Sequence, residues 1–151
     1  MNTAEVKTIR LLIVDDHEVT RLGLRTLLSA YPQFEILGEA TSIAECLEAA
    51  ERLKPDLILL DVRLADGSGI EVCRRLQRLD VEAKILVLTS FADDDLVFDA
   101  ISAGADGYLL KEIHGESLVQ AIQDVAAGRS ILDRSVSRRV MSRVCNPDLL
   151  A

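Results

Sequence analysis

The sequence of 151 residues lacks the marks of a membrane, secreted or zinc-binding protein. Its apolar runs, such as the one at 57–60, fall far short of the roughly 20 residues that a membrane-spanning helix needs. The first residues have neither the basic nor the apolar region of a signal peptide. The three cysteines, Cys46, Cys73 and Cys145, are too widely spaced for a zinc site and odd in number for a disulfide framework. We therefore predict a cytoplasmic protein with reduced cysteines and no membrane contact.

Positive charge is also in short supply, because 25 acidic residues outnumber 17 lysines and arginines and give a formal net charge of −8. A DNA-binding surface needs a basic face, so the bulk of the chain is not expected to bind DNA. The segment 129–143 is the exception, with five arginines and one acid. Its valines Val136, Val140 and Val144 share one face and predict an amphipathic helix over 133–144. We interpret this helix as a solvated linker, with an arm that contacts the acidic domain surface or DNA as the alternative.

Residues 1–128 have the pattern of one α/β domain, and 129–151 that of a linker helix and tail. With 49% hydrophobic residues, the chain is long enough for one core but not for two full domains. Short β-branched runs alternate with segments of helical period, which predicts a doubly wound, five-stranded parallel sheet flanked by helices. The predicted strands are Ile9 to Val14, Phe34 to Ala40, Asp56 to Leu60, Lys84 to Thr89 and Gly107 to Leu110. Two capping boxes, Ser42 to Glu45 and Ser68 to Glu71, predict helix starts.

Polar residues follow four of the predicted strands. The first strand ends in Asp15 and Asp16, the third in Asp61, the fourth in Thr89 and the fifth in Lys111. Because ligands of open parallel sheets bind at the carboxyl ends of the strands, we expect these side chains to meet. Crowded carboxylates repel each other, and a divalent cation removes that conflict. Oxygen ligands with room for water and a phosphate oxygen suit Mg²⁺, so the sequence predicts a magnesium site.

The same set of side chains predicts phosphoryl chemistry. A carboxylate beside a bound metal can act as the nucleophile toward a phosphoryl group and form an acyl phosphate. A lysine ammonium and a hydroxyl donor would then share the charge on the phosphoryl oxygens with the metal.

The segments that carry these residues resemble the receiver domain of bacterial response regulators: 12–17, 56–61, 88–90 and 107–111. Three more segments are similar to the NarL/FixJ (LuxR-type) group of receivers: 16–18, 102–108 and 127–130. The resemblance covers residues 9–128 and implies a flavodoxin-like sheet of strand order 2-1-3-4-5.

The resemblance also implies a role for each site residue. Asp61 would accept the phosphoryl group. The implied Mg²⁺ ligands are Asp15, Asp16, Asp61 and the backbone carbonyl of Arg63. The implied phosphate-binding and switch residues are Thr89, Lys111 and Tyr108, of which Tyr108 would swing inward as Thr89 moves to the phosphate.

The implied partners are a sensor histidine kinase and, after phosphorylation, a second copy of the chain. DNA would be contacted only through a C-terminal helix-turn-helix domain that this sequence does not include. We expect the chain to be the receiver portion of a transcription factor, with a stand-alone receiver as the alternative. Two positions depart from the family pattern. Glu112 replaces a proline after Lys111, so a trans bond is expected there, and Ala65 replaces another proline and is expected to loosen its loop.

Two other functions share part of the pattern. A phosphatase of the haloacid dehalogenase kind carries Asp-x-Asp on its first strand, whereas Asp15 and Asp16 are adjacent and would point in different directions. A flavodoxin has the same architecture, but acids after the first strand would repel the flavin phosphate. Tyr108 also fits a plain core residue. His17 and His114 are predicted as surface histidines of helices.

Overall fold

The computed structural model describes residues 8–91 and 93–132, and it confirms the predicted α/β class. Its strands are β1 (Ile9–Val14), β2 (Phe34–Ala40), β3 (Leu57–Leu60), β4 (Arg63–Leu64), β5 (Gly67–Ser68), β6 (Lys84–Thr89), β7 (Gly107–Leu110) and β8 (Ile131–Leu132). Its helices are α1 (Glu18–Ser29), α2 (Ile43–Leu53), α3 (Gly69–Arg78), α4 (Asp94–Ser102) and α5 (Gly115–Ala126). The predicted helix over 133–144 lies outside the described residues.

The main sheet is parallel throughout, with the order β2-β1-β3-β6-β7-β8. Its first five members are the five predicted strands, in the expected order 2-1-3-4-5. The prediction of five strands was wrong by one, because β8 adds a sixth strand at the edge, where Ile131 pairs with Gly107 and Leu132 with Tyr108. A strand of two residues is too short to show the alternation by which sequence reveals a strand.

Helices cover both faces of the sheet and divide the core into two clusters. Helices α2, α3 and α4 bury one cluster against β1, β3, β6 and β7, and α1 and α5 bury the other. The central strands are hydrophobic throughout in β3 and from Ile85 to Leu88 in β6, because both of their faces are covered. In the described ranges, none of the helices combines the length and the apolar character that crossing a bilayer requires.

Serine caps begin α2 and α3 as predicted, but neither forms the full reciprocal box. Ser42 Oγ accepts a hydrogen bond from the backbone N–H of Glu45 at 3.1 Å, and Ser68 Oγ accepts one from that of Ile70 at 3.1 Å. The Glu45 carboxylate accepts from the N–H of Thr41 at 2.8 Å, whereas a capping box would direct it to the N–H of Ser42. Glu45 therefore accepts its hydrogen bond from Thr41, the residue before the cap.

We predict that Cys46 and Cys73 are unreactive in the folded protein. Both thiols are fully buried. Burial raises the pKa of each to about 12, with a smaller contribution from Cys73 at Cys46 and from Asp106 at Cys73. At pH 8 roughly one thiol in ten thousand is then ionised, and the thiolate is the reactive form. A Cys145→Ser variant should therefore bind no Ellman's reagent until urea unfolds it. Labelling that is complete before any loss of helical circular dichroism would contradict this.

Candidate functional site

The sheet register brings the predicted site residues together at the carboxyl ends of the parallel strands. Strands β1 and β3 pair Val14 with Leu60, so Asp15 and Asp61 leave the sheet side by side. The backbone N–H of Asp61 still donates to the carbonyl of Val14 at 2.9 Å. On the other side, the N–H of Lys111 donates to the Thr89 carbonyl at 2.8 Å. The predicted meeting of these side chains therefore follows from ordinary parallel pairing.

Lys111 bridges the two buried carboxylates. Its Nζ lies 2.7 Å from Asp15 Oδ2 and 2.8 Å from Asp61 Oδ2, and each of these aspartates is only 2% exposed. Burial lowers the pKa of the Lys111 ammonium, but the hydrogen bonds and the charges of Asp15 and Asp61 outweigh that cost and raise the pKa overall. Lys111 therefore stays protonated and reduces the repulsion between the two acids.

The second oxygen of Asp61 is held by neutral donors. Thr89, which is fully buried, donates its hydroxyl to Asp61 Oδ1 at 2.7 Å. The backbone N–H of Arg63 approaches the same oxygen at 3.3 Å. Asp61 is thus clamped on both oxygens, and Arg63, whose carbonyl was predicted as a metal ligand, lies beside it. This clamp fixes the orientation of the carboxylate.

Asp15 and Asp16 lie between the end of β1 and the start of α1, and His17 contacts both of them. The imidazole Nδ1 of His17 lies 3.0 Å from Asp15 Oδ1 and 3.0 Å from Asp16 Oδ1, and the His17 N–H donates to Asp15 Oδ1 at 2.8 Å. Single ligand atoms of Asp15, Asp16, His17 and Asp61 all lie within 4.8 Å of one another. The prediction of His17 as a surface histidine is confirmed, because its side chain is 63% exposed, but the sequence did not reveal this contact with the acids.

The donor set fits Mg²⁺. Three carboxylates, Asp15, Asp16 and Asp61, lie together, and the Lys111 ammonium contacts only Asp15 and Asp61, so the cluster has more acids than lysines and suits a divalent cation. Most of the available ligand atoms are carboxylate oxygens, which hard cations prefer. Asp15 is buried between Lys111 and His17, whereas Asp16 contacts only His17 among these residues and keeps 31% of its side-chain surface exposed. Asp16 therefore has the freedom to bind an ion from solvent.

A short chain of contacts links the buried threonine to Tyr108. The N–H of Phe91 approaches Thr89 Oγ1 at 3.4 Å, and the Phe91 carbonyl accepts the Tyr108 hydroxyl at 2.5 Å. Burial, followed by the charges of Asp93 and Asp61, raises the pKa of Tyr108, so the phenol stays neutral. The Arg63 guanidinium stacks on the Phe91 ring, 3.8 Å from its centroid. Phe91 is a residue that sequence reasoning missed, because its role lies in its carbonyl.

Comparison with known proteins agrees with the resemblance. Residues 11–123 match the family model described as "Response regulator receiver domain". The chain is 45% identical over 136 residues to the DNA-binding transcriptional activator DevR/DosR of Mycobacterium tuberculosis, covering 90% of this chain and 63% of that protein. It is 41% identical to the transcriptional regulatory protein LiaR of Bacillus subtilis, covering 90% of this chain and 64% of that protein. The chain thus spans somewhat less than two thirds of these relatives.

Solved structures give the same result. A LuxR-family two-component response regulator from Aurantimonas sp. SI85-9A1 superposes with a TM-score of 0.86 at 30% identity, covering 93% of this chain and 100% of that one. A LuxR-family DNA-binding response regulator from Staphylococcus aureus superposes with a TM-score of 0.74 at 25% identity, covering 78% of this chain and 98% of that one.

Proposed function

Because the chain belongs to the response regulator receiver domain family, with relatives in its NarL/LuxR group, we propose that it is a switch in which Asp61 accepts a phosphoryl group. The relatives are transcriptional regulators, and this chain is likewise a regulatory domain and not an enzyme. The clamp on Asp61 carries the proposal: Lys111 holds one of its oxygens and Thr89 the other.

The proposed reaction uses the side chains as they lie. A carboxylate oxygen of Asp61 attacks the phosphorus of a phosphohistidine on the sensor kinase, the P–N bond breaks, and its electron pair stays on the imidazole. Lys111 Nζ then transfers its hydrogen bond from Asp61 Oδ2 to a phosphoryl oxygen. The Thr89 hydroxyl turns to donate its hydrogen bond to a second phosphoryl oxygen. Both groups thus stabilise charge that develops in the transition state, and they need little movement to do so.

Mg²⁺ is the proposed cofactor. Asp15, Asp16 and Asp61, with the carbonyl of Arg63, would hold the ion, and it would neutralise charge on the phosphoryl oxygens. Two residues of the chain hold Asp15 in place. His17 donates its backbone N–H to the Asp15 carboxylate, and the Lys111 ammonium lies 2.7 Å from the second Asp15 oxygen.

The switch itself would run from Thr89 through Phe91 to Tyr108. A new hydrogen bond from Thr89 to the phosphoryl group changes the contact with the Phe91 N–H, and Phe91 in turn holds the Tyr108 hydroxyl. Tyr108 lies on β7 and Phe91 lies just before α4. A change at these two residues would alter the surface around β7 and α4, where we expect a partner to bind. The phosphoryl group need only favour one state by a few kcal/mol, the usual scale of such equilibria.

The proposed partners are a sensor histidine kinase, a second copy of the chain and, in the complete protein, a DNA-binding segment. The DNA-binding segment is supported by one relative, which is named as a DNA-binding transcriptional activator. This chain covers 63% of that relative's length. A cytoplasmic location remains a prediction that cell fractionation would test.

The proposal is tested by activating the chain without its kinase. Beryllofluoride with Mg²⁺ mimics a phosphoryl group, so size-exclusion chromatography with light scattering should show a shift from monomer toward dimer. Acetyl phosphate with Mg²⁺ should add the mass of one phosphoryl group. Asp61→Asn should abolish both responses while its far-ultraviolet circular dichroism stays native. Equal mass gain in the variant would disprove Asp61 as the acceptor.

A further inference from the structure

The loop that follows Asp61 is a small hairpin made of β4 and β5. It begins at Arg63, two residues after Asp61, and pairs Arg63 with Ser68 and Leu64 with Gly67 in antiparallel register. Two residues, Ala65 and Asp66, form its tip. Strands of two residues hold themselves weakly. The backbone of Arg63 beside Asp61 therefore depends in part on what holds the tip.

The tip is tied to the start of α2 through Asp66. Its Oδ1 accepts a hydrogen bond from the Ile43 N–H at 2.6 Å, and its Oδ2 accepts one from the Ala44 N–H at 3.3 Å. These are first-turn amides without a partner inside the helix, where a negative charge is stabilised. The backbone N–H of Ala65 adds a long contact of 3.4 Å to the Thr41 carbonyl. Asp66 thus caps a helix to which it does not belong.

The start of α2 is itself fixed to the acidic cluster. It follows β2, whose last residue, Ala40, accepts a hydrogen bond from the Asp15 N–H at 3.0 Å. Asp66 therefore links the loop after β3 to the same piece of backbone that positions Asp15. The two sides of the predicted metal site, Asp15 after β1 and Arg63 on the hairpin, are therefore both tied to the backbone between β2 and α2.

Ala65 explains why the anchor matters in this chain. The family resemblance implies a looser loop here, because alanine stands where the family pattern has proline. Proline has no N–H and could not make the contact with Thr41. The tip is therefore held by hydrogen bonds to α2, chiefly those of Asp66, in place of a rigid ring.

We propose that Asp66 is a positioning residue for the metal site, which holds the hairpin so that the Arg63 carbonyl faces the bound Mg²⁺. The inference rests on the proposed function, because it needs that site to bind Mg²⁺. Partners that orient metal ligands typically account for 10-fold to 100-fold in metal affinity. Loss of the anchor should therefore weaken Mg²⁺ binding about tenfold without removing any ligand.

The test is an Mg²⁺ titration of the full chain, followed by the amide signals of residues 15–17 and 61–63 in NMR spectra. Asp66→Ala should bind Mg²⁺ about tenfold more weakly than the wild type. Ser42→Ala is the matched control, because Ser42 also caps α2 but its cap bond goes to Glu45 and not to the hairpin. Both variants should lower the midpoint of urea unfolding, whereas Mg²⁺ affinity should fall only in Asp66→Ala.

A second variant separates anchoring from charge. Asp66→Asn removes the same negative charge but keeps an oxygen that can accept from Ile43, so its Mg²⁺ affinity should lie between those of Asp66→Ala and the wild type. Equal affinities in Asp66→Asn and Asp66→Ala, or an unchanged affinity in Asp66→Ala, would overturn the inference. Failure of the wild type to bind Mg²⁺ or beryllofluoride would instead overturn the proposed function.

Discussion

Replacing Lys111 by methionine is expected to destabilise the metal-free domain by about 3 kcal/mol. Methionine matches the length of the lysine side chain but leaves Asp15 and Asp61 buried beside each other with no cation between them. Urea unfolding in the presence of EDTA measures the loss. Mg²⁺ should restore more stability to the variant than it adds to the wild type, because it then supplies the missing positive charge.

Lys84→Met is the control for this experiment. Lys84 begins β6 at the opposite end of the sheet from the site, and its change should shift stability by no more than about 0.5 kcal/mol. A Lys111→Met variant as stable as this control would show that the two carboxylates do not depend on Lys111.

Replacing Gly69 by alanine should cost about 1 to 3 kcal/mol and slow phosphorylation of Asp61. A Cβ on Gly69 would lie 2.3 Å from the Asp61 carbonyl oxygen and 3.2 Å from the Val62 Cα. Both are backbone atoms, so no side-chain rotation can relieve the clash. The strand end that carries Asp61 must therefore move. Urea unfolding and the rate of labelling by acetyl phosphate measure the two effects.

Gly23→Ala is the matched glycine control. Gly23 lies in α1, and a Cβ there would meet nothing within 4 Å. Alanine should therefore stabilise the helix by about 0.5 to 1 kcal/mol and leave labelling unchanged. If Gly69→Ala behaved like Gly23→Ala, the close packing of α3 on the Asp61 backbone would be refuted.

The regular part of the fold could be predicted because its signals are local. Four of the five predicted strands have the observed bounds, and the third begins at Leu57 instead of Asp56. The central strands β3 and β6 are buried on both faces, so their hydrophobic composition indicates them directly. The order of the strands and the meeting of Asp61 with Lys111 followed from family resemblance and from the rule that sites lie at carboxyl ends.

The features that sequence did not reveal depend on contacts between distant segments. Strand β8 and the hairpin of β4 and β5 are two residues per strand, too short for any periodicity. In the sequence, Asp66 has the pattern of an ordinary turn residue. Only the structure shows that it binds the start of α2, at Ile43, which is 23 positions away in the sequence. Phe91 likewise contributes a backbone carbonyl, which every residue possesses.

The most direct test of the central claim is to find where the phosphoryl group binds. The chain is treated with acetyl phosphate in Mg²⁺ or in EDTA, and borohydride then reduces any acyl phosphate to the corresponding alcohol. Peptide mass mapping should place the reduced residue at Asp61 in the Mg²⁺ sample and find none in the EDTA sample. Reduction at Asp15 or Asp16, or equal labelling in EDTA, would contradict the account.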